Sequence, residues 1–121
     1  MALIALIDDD PVEALVIEGL LEHTDTGHAV SNFTTVEAFV DASGAAPDLV
    51  LLDRRIPPHQ SFKSSLDALS GSAFNGPVVL VTAGPADETE LSWRGALHGP
   101  VNKAELLTPE ALEDLLNAVL G

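Results

Sequence analysis

Leu3-Ile4-Ala5-Leu6-Ile7-Asp8-Asp9-Asp10-Pro11-Val12 changes character within one step. Its first half is a continuous apolar run, which suits a strand buried on both faces. The run ends abruptly in three aspartates. Asp10 suits the N-cap of a following helix and Pro11 its first position. Acidic groups there complement the helix dipole. From Val12 onward, Val12, Leu15, Val16, Gly19 and Leu20 recur at helical spacing, with Glu13, Glu18 and Glu22 off the stripe. That stripe is expected to face the core. The stretch therefore reads as strand, acidic turn, helix.

The same alternation continues outward. Ala29 to Phe33 is a weaker strand candidate after Gly27, and Thr35 to Ala42 reads as a short helix stopped by Gly44. Leu49 to Leu52 is another apolar run, ending in Asp53. A loop with Pro57 and Pro58 follows, then a short helix marked by Phe62, Leu66 and Leu69. Asn75-Gly76-Pro77 signals a turn. Val78 to Val81 is a third strong strand and ends in Thr82. Asp87 to Leu97 is expected to be helical, with Trp93 as a packing residue. A brief strand at Pro100 to Asn102 leads into Lys103. Thr108 caps a last helix starting at Pro109, with Leu112, Leu115, Leu116 and Val119 as its buried stripe. Five βα units with wholly apolar strands predict a parallel sheet covered by helices on both faces.

Composition narrows the class. The chain has 121 residues, 46% of them hydrophobic, which is enough for one core and too few for two. No repeat or linker divides it, so residues 1–121 are expected to be one domain. The longest apolar run, Ala2 to Ile7, is too short to span a membrane. The absence of cysteine excludes disulfides and thiol chemistry and fits a cytoplasmic protein. Nineteen acids against five bases give a net charge of −14. Such an excess repels nucleic acid and anionic lipid, and favours metal ions or basic partners.

The charge becomes informative where strands end. Ligands in an open α/β sheet bind at the carboxyl ends of the strands. Those ends carry Asp8 and Asp9, then Asp53, then Thr82, then Lys103. Three carboxylates in one crevice need compensation. Mg²⁺ suits a few carboxylates plus waters and phosphate oxygens. Lys103 adds positive charge and Thr82 a hydroxyl donor. A nucleophile, a metal and neutralisers are what phosphoryl transfer to a carboxylate needs.

These residues carry a resemblance. Asp8-Asp9, Asp53, Thr82-Ala83 and Lys103, with Asp53-Arg54-Arg55-Ile56-Pro57 as an Asp-x-x-x-Pro signature, resemble the receiver domain of two-component response regulators over the whole chain. The resemblance implies a flavodoxin-like doubly wound sheet of order 2-1-3-4-5. It implies that Asp53 accepts a phosphoryl group from a phosphohistidine on a histidine kinase or histidine phosphotransfer protein. It implies Mg²⁺ bound directly by Asp9, through water by Asp8, by Asp53, and by the backbone carbonyl of Arg55. Thr82 and Lys103 would hold the phosphoryl oxygens. The product would be a signalling switch rather than an enzyme. Its outputs would be a downstream protein target, relay, or a phosphorylation-dependent dimer.

Two positions depart from the family pattern. Ala104 follows the lysine where proline is usual, which disfavours a cis peptide there and predicts a less rigid Lys103. Pro100 stands where the family places an aromatic switch residue, and the chain has no tyrosine. Both keep open an alternative, a pseudo-receiver that binds partners without being phosphorylated. Asp8-Asp9-Asp10-Pro11-Val12 also fits the nucleophile motif of haloacid-dehalogenase-type phosphatases, but the later acidic pairs fall on helices. The first helix carries a second apolar stripe, Ala14, Ile17 and Leu21, which could widen the core or dock a kinase or phosphotransfer bundle. The chain reads as a stand-alone receiver, with a domain cut from a larger protein as the alternative.

Overall fold

The computed structural model describes residues 2–22, 27–42, 46–53, 61–82, 91–106 and 108–120. The strands are β1 (Leu3–Ile7), β2 (Ala29–Phe33), β3 (Leu49–Asp53), β4 (Val78–Thr82) and β5 (Leu97–Asn102). The helices are α1 (Pro11–Glu22), α2 (Val36–Asp41), α3 (Phe62–Leu69) and α4 (Pro109–Leu120), and a 3₁₀ turn covers Lys103–Leu106. The strands form one sheet in the order β2-β1-β3-β4-β5, and every pair is parallel. This is the expected doubly wound order.

Successive strand residues face opposite sides of a sheet, so the continuous apolar runs fill two cores. Ile7, Val50, Leu52 and Leu80 pack with Val36 and Phe39 of α2 and with Phe62, Leu66 and Leu69 of α3. Leu6, Leu49, Leu51 and Val81 pack on the other face with Ala14 and Leu21 of α1, Leu106 of the 3₁₀ turn, and Leu112 and Leu116 of α4. Each fully buried Leu, Val or Phe here contributes roughly 1.5–3 kcal/mol of transfer free energy.

The helix starts follow their caps. Asp10 Oδ1 accepts from the Val12 N–H at 2.9 Å, and Thr108 Oγ1 accepts from the Ala111 N–H at 3.2 Å. Thr35 and Ser61 cap α2 and α3 in the same way.

Helix α1 is rotated from the expectation. Val12 and Leu15 are 62% and 66% exposed and Val16 is 42% exposed, while Ala14 and Leu21 are buried. Ile17 and Leu20 pack partly against the same core. The second stripe is thus the core stripe, and the first is largely on the surface. Apolar residues line both sides of this helix, so periodicity alone cannot choose between them. The short Asp8–Asp10 connection and its cap set the rotation instead.

The segment before β5 also differs. Leu91 to Ala96 is not helical, and Leu97 already belongs to β5. The rest of the expected Asp87–Leu97 helix, residues 87–90, lies outside the described residues. Trp93 does pack, from a loop: it stacks on Phe74 with centroids 6.1 Å apart, and its Nε1 donates to the Gly76 carbonyl at 2.9 Å. Arg94 lies over the Trp93 ring and donates to the carbonyls of Ser70 (2.8 Å), Ser72 (2.6 Å) and Phe74 (2.7 Å). These are carbonyls at and just past the end of α3, where a helix leaves acceptors unpaired.

Strand β5 begins earlier than expected and is irregular. Its pairing with β4 shifts between Val79 and Val81. Gly99 sits there at φ +94°, and a Cβ on it would lie 2.5 Å from the Leu80 carbonyl oxygen, so only glycine fits. Pro100 follows through a cis peptide on this edge strand, where a missing donor is tolerated.

Candidate functional site

The carboxyl ends of β1, β3 and β4 and the start of the 3₁₀ turn meet at one edge of the sheet. Asp53 is the last residue of β3 and pairs in register with Val81; Thr82 is one step further along β4 and pairs with Asn102. Asp8, Asp53 and Thr82 are all buried. Burial at a strand end is what the apolar runs dictate, since each continues inward until its polar terminus.

Lys103 joins these groups. Its Nζ lies 2.8 Å from Asp53 Oδ1 and 3.2 Å from Asp8 Oδ2, and it also contacts Glu13 Oε2. Carboxylate oxygens of Asp8, Glu13 and Asp53 all lie within 4.8 Å of one another. Below them is a cavity of about 110 Å³ with Leu6, Leu51, Val81 and Leu106 in its wall.

The placement of Lys103 has a local cause. Asn102 Oδ1 accepts from the Ala104 N–H at 2.9 Å, closing a turn around the lysine. The Lys103–Ala104 peptide is not cis, as expected. The Asn102 turn shapes the backbone around Lys103, and three carboxylates contact its side chain. Asp8 is fixed similarly. Its Oδ1 accepts from the Asp10 N–H at 2.9 Å, and Asn32 Nδ2 donates to the Leu6 and Asp8 carbonyls at 3.2 and 3.3 Å.

The charges perturb one another. Burial, then a hydrogen bond shared with Glu13, then repulsion from Asp53 push the Asp8 carboxyl up to about 7, against the lowering effect of the Asp10 N–H and Lys103. Asp8 keeps the shared proton, so the Glu13 carboxyl is held below its ordinary value by that bond and by Lys103, against burial. Burial lowers Lys103, but Asp53 and Glu13 more than offset it and raise the ammonium above its usual range.

The structure gathers Asp8, Asp53 and Lys103 and sets Thr82 at the same edge. It does not bring in Asp9, which is exposed and outside the carboxylate cluster. Both residues follow β1, which ends at Ile7; Asp8 is buried and Asp9 is exposed. Glu13 takes the third place. Its position in the first turn of α1 was the available signal, because that turn abuts the end of β1. Arg55, with Arg54 and His59, lies outside the described residues. Ala14 and Leu21 are core residues and so form no docking face, and only Ile17 of that trio is partly exposed.

The donor set fits Mg²⁺. Hard, closely spaced carboxylate oxygens are its preferred protein ligands, and the proton that Asp8 shares with Glu13 marks the charge that one ammonium leaves unbalanced. Asp8 and Asp53 are placed to hold such an ion, with Glu13 beside them. No helix of the described residues is long and apolar enough to cross a membrane.

No protein-family model matches the sequence, and no curated protein matches it. Solved structures do. The N-terminal domain of a response regulator/sensory box/GGDEF three-domain protein from Carboxydothermus hydrogenoformans has a TM-score of 0.73 at 23% identity, covering 98% of this chain and 93% of that one. The receiver domain of sensor histidine kinase PA1611 from Pseudomonas aeruginosa, with a magnesium ion in its active-site cleft, has a TM-score of 0.70 at 21% identity, covering 99% and 98%. Chemotaxis response regulator CheY4 of Vibrio cholerae has a TM-score of 0.66 at 23% identity, covering 99% of each chain. At these identities the likeness establishes the fold, and the fold is that of a response-regulator receiver domain.

Proposed function

We propose that this chain, which folds as a response-regulator receiver domain, is a phosphoryl-accepting switch of a two-component or phosphorelay system. The observation that carries the reading is the 2.8 Å pairing of Lys103 with Asp53 at the strand ends, with Asp8 beside them. In the proposed reaction a carboxylate oxygen of Asp53 attacks the phosphorus of a phosphohistidine on a histidine kinase or histidine phosphotransfer protein. The new P–O bond forms as the P–N bond breaks, and the imidazole nitrogen keeps the electron pair. The Lys103 ammonium and the Thr82 hydroxyl neutralise the phosphoryl oxygens. A bound Mg²⁺ supplies further charge neutralisation for those oxygens. Asp8 and Asp53 would hold the ion, with the Arg55 carbonyl as a candidate ligand. Asp9, exposed next to Asp8, is the further ligand that the resemblance implies.

Val12, Leu15 and Val16 are exposed on α1, the helix that carries Glu13. They support docking of the phosphodonor at this helix. Output runs through contacts with a downstream protein in the cytoplasm or a phosphorylation-dependent dimer. The protein is a switch rather than an enzyme in this reading.

The test is to add Mg²⁺ and beryllofluoride, a phosphoryl mimic, and follow backbone amide NMR shifts. Shifts around Asp8, Asp53, Thr82 and Lys103 that vanish in Asp53→Ala support the reading. Silence of the wild type favours the pseudo-receiver, for which Pro100 within the edge strand β5 is the supporting observation. Trp93 fluorescence is a poor reporter here. The ring is bonded to Gly76, before the start of β4, at the opposite end of the sheet from Asp53.

A further inference from the structure

We propose that Glu13 is a latch on Lys103: it occupies the ammonium donor that a phosphoryl oxygen on Asp53 would need. This rests on the phosphoryl-acceptor reading and names a positioning residue within it. An ammonium has three N–H donors and no more. Among the described residues, Asp8, Glu13 and Asp53 are the partners of Lys103. Recruiting Lys103 to a phosphoryl group therefore displaces one of them.

The three partners are not equally able to leave. Asp53 is the acceptor itself and is anchored at the end of β3. The Asp8 side chain is 2% exposed and tied to the Asp10 N–H at 2.9 Å. The Glu13 side chain is 35% exposed, stands on the first turn of α1 and has a longer reach. It can swing to water without stranding a buried charge, so it is the partner that yields. Its negative charge also opposes an incoming phosphoryl dianion, so removing it favours the phosphorylated form twice over. A glutamine at position 13 keeps the shape and removes both effects. An aspartate keeps the charge and shortens the reach.

The experiment titrates beryllofluoride at saturating Mg²⁺ into wild type, Glu13→Gln and Glu13→Asp, followed by amide NMR, with Asp53→Ala as the blank. Mg²⁺ affinity is measured separately. The latch predicts roughly three- to fivefold tighter beryllofluoride binding in Glu13→Gln, the size of a partly exposed ion pair. It predicts an intermediate gain in Glu13→Asp. Mg²⁺ affinity falls or stays level in Glu13→Gln, a split that a merely structural role does not produce. If wild type binds beryllofluoride and Glu13→Gln binds it no tighter, the latch is wrong and the acceptor reading stands. If wild type is silent but Glu13→Gln responds, the latch holds more firmly than proposed. If both are silent, the acceptor reading fails and the latch fails with it.

Discussion

Lys103 reaches Asp53 over the end of β4: the two residues belong to opposite sides of that strand in the sheet, yet Nζ and Oδ1 are 2.8 Å apart. The contact ties the turn after β5 to the end of β3. Removing the lysine leaves Asp8, Glu13 and Asp53 facing one another without a cation. Lys103→Ala is therefore expected to lose about 1–3 kcal/mol of stability near neutral pH, since it strands partly buried charges. Urea unfolding measures this. Added Mg²⁺ should recover part of the loss by taking the cation's place. An unchanged urea midpoint would show that the three carboxylates do not repel as their spacing requires.

Asp8 makes stability depend on pH in a particular window. Its folded value of about 7 lies above the ordinary 3.8. Between these values the folded chain holds a proton that the unfolded chain has released, so stability falls as pH rises from about 4 to about 7. The neighbours act elsewhere. Glu13, held low, adds stability above its ordinary range and loses it only in acid. Lys103, held high, loses its contribution only in strong base. Unfolding midpoints of wild type should thus decline across the window, and Asp8→Asn should flatten that decline and be the more stable protein at pH 7. A wild-type midpoint that rises over this range contradicts the shared proton.

The rotation of α1 separates two substitutions of leucine on one helix. Leu15 is 66% exposed and Leu21 is buried. Leu15→Asp is expected to change stability by no more than about 0.5 kcal/mol and to slow phosphotransfer from the donor protein. Leu21→Asp buries a charge and should prevent folding. Thermal unfolding and a phosphotransfer time course distinguish them. A Leu15→Asp protein that accepts phosphoryl groups at the wild-type rate would place the donor elsewhere.

Arg94 is a structural clasp. Its guanidinium serves the carbonyls of Ser70, Ser72 and Phe74 while lying 4.8 Å from the centroid of the Trp93 ring. Arg94→Ala is expected to cost about 1.5–3 kcal/mol, the range for bonds to a charged donor. Arg94→Lys should rescue little, because a single ammonium cannot span a planar fork's targets. Denaturant midpoints test both, and Trp93 fluorescence, uninformative about the site, is well placed to report this local change.

The fold was readable because its strands are unambiguous. Leu3–Ile7, Leu49–Leu52 and Val78–Val81 are apolar throughout, and each stops at a polar residue that becomes part of the site edge. Asp8, Asp53, Thr82 and Lys103 were therefore legible together. Three features were not. The face of α1 was undecidable from spacing, because both of its stripes are apolar. Glu13 falls off the expected stripe of α1, and only the observed rotation of the helix brings its carboxylate beside Asp8 and Asp53. Leu91 to Ala96 carried a helical pattern, but Arg94 and Trp93 spend their polar groups on the carbonyls of the α3 end and the turn before β4, which a helix would not allow.

The apolar wall beneath the carboxylates has one more consequence. Leu6, Leu51, Val81 and Leu106 keep the underside of the cluster away from mobile ions. Dissolved salt screens exposed charges over about 10 Å at 0.1 M, and buried pairs much less. Raising ionic strength should therefore quieten the repulsion among the chain's many surface acids while leaving the pairing of Lys103 with Asp53 nearly intact. The surface and the site would answer to different dials: electrolyte for one, protons and divalent cations for the other.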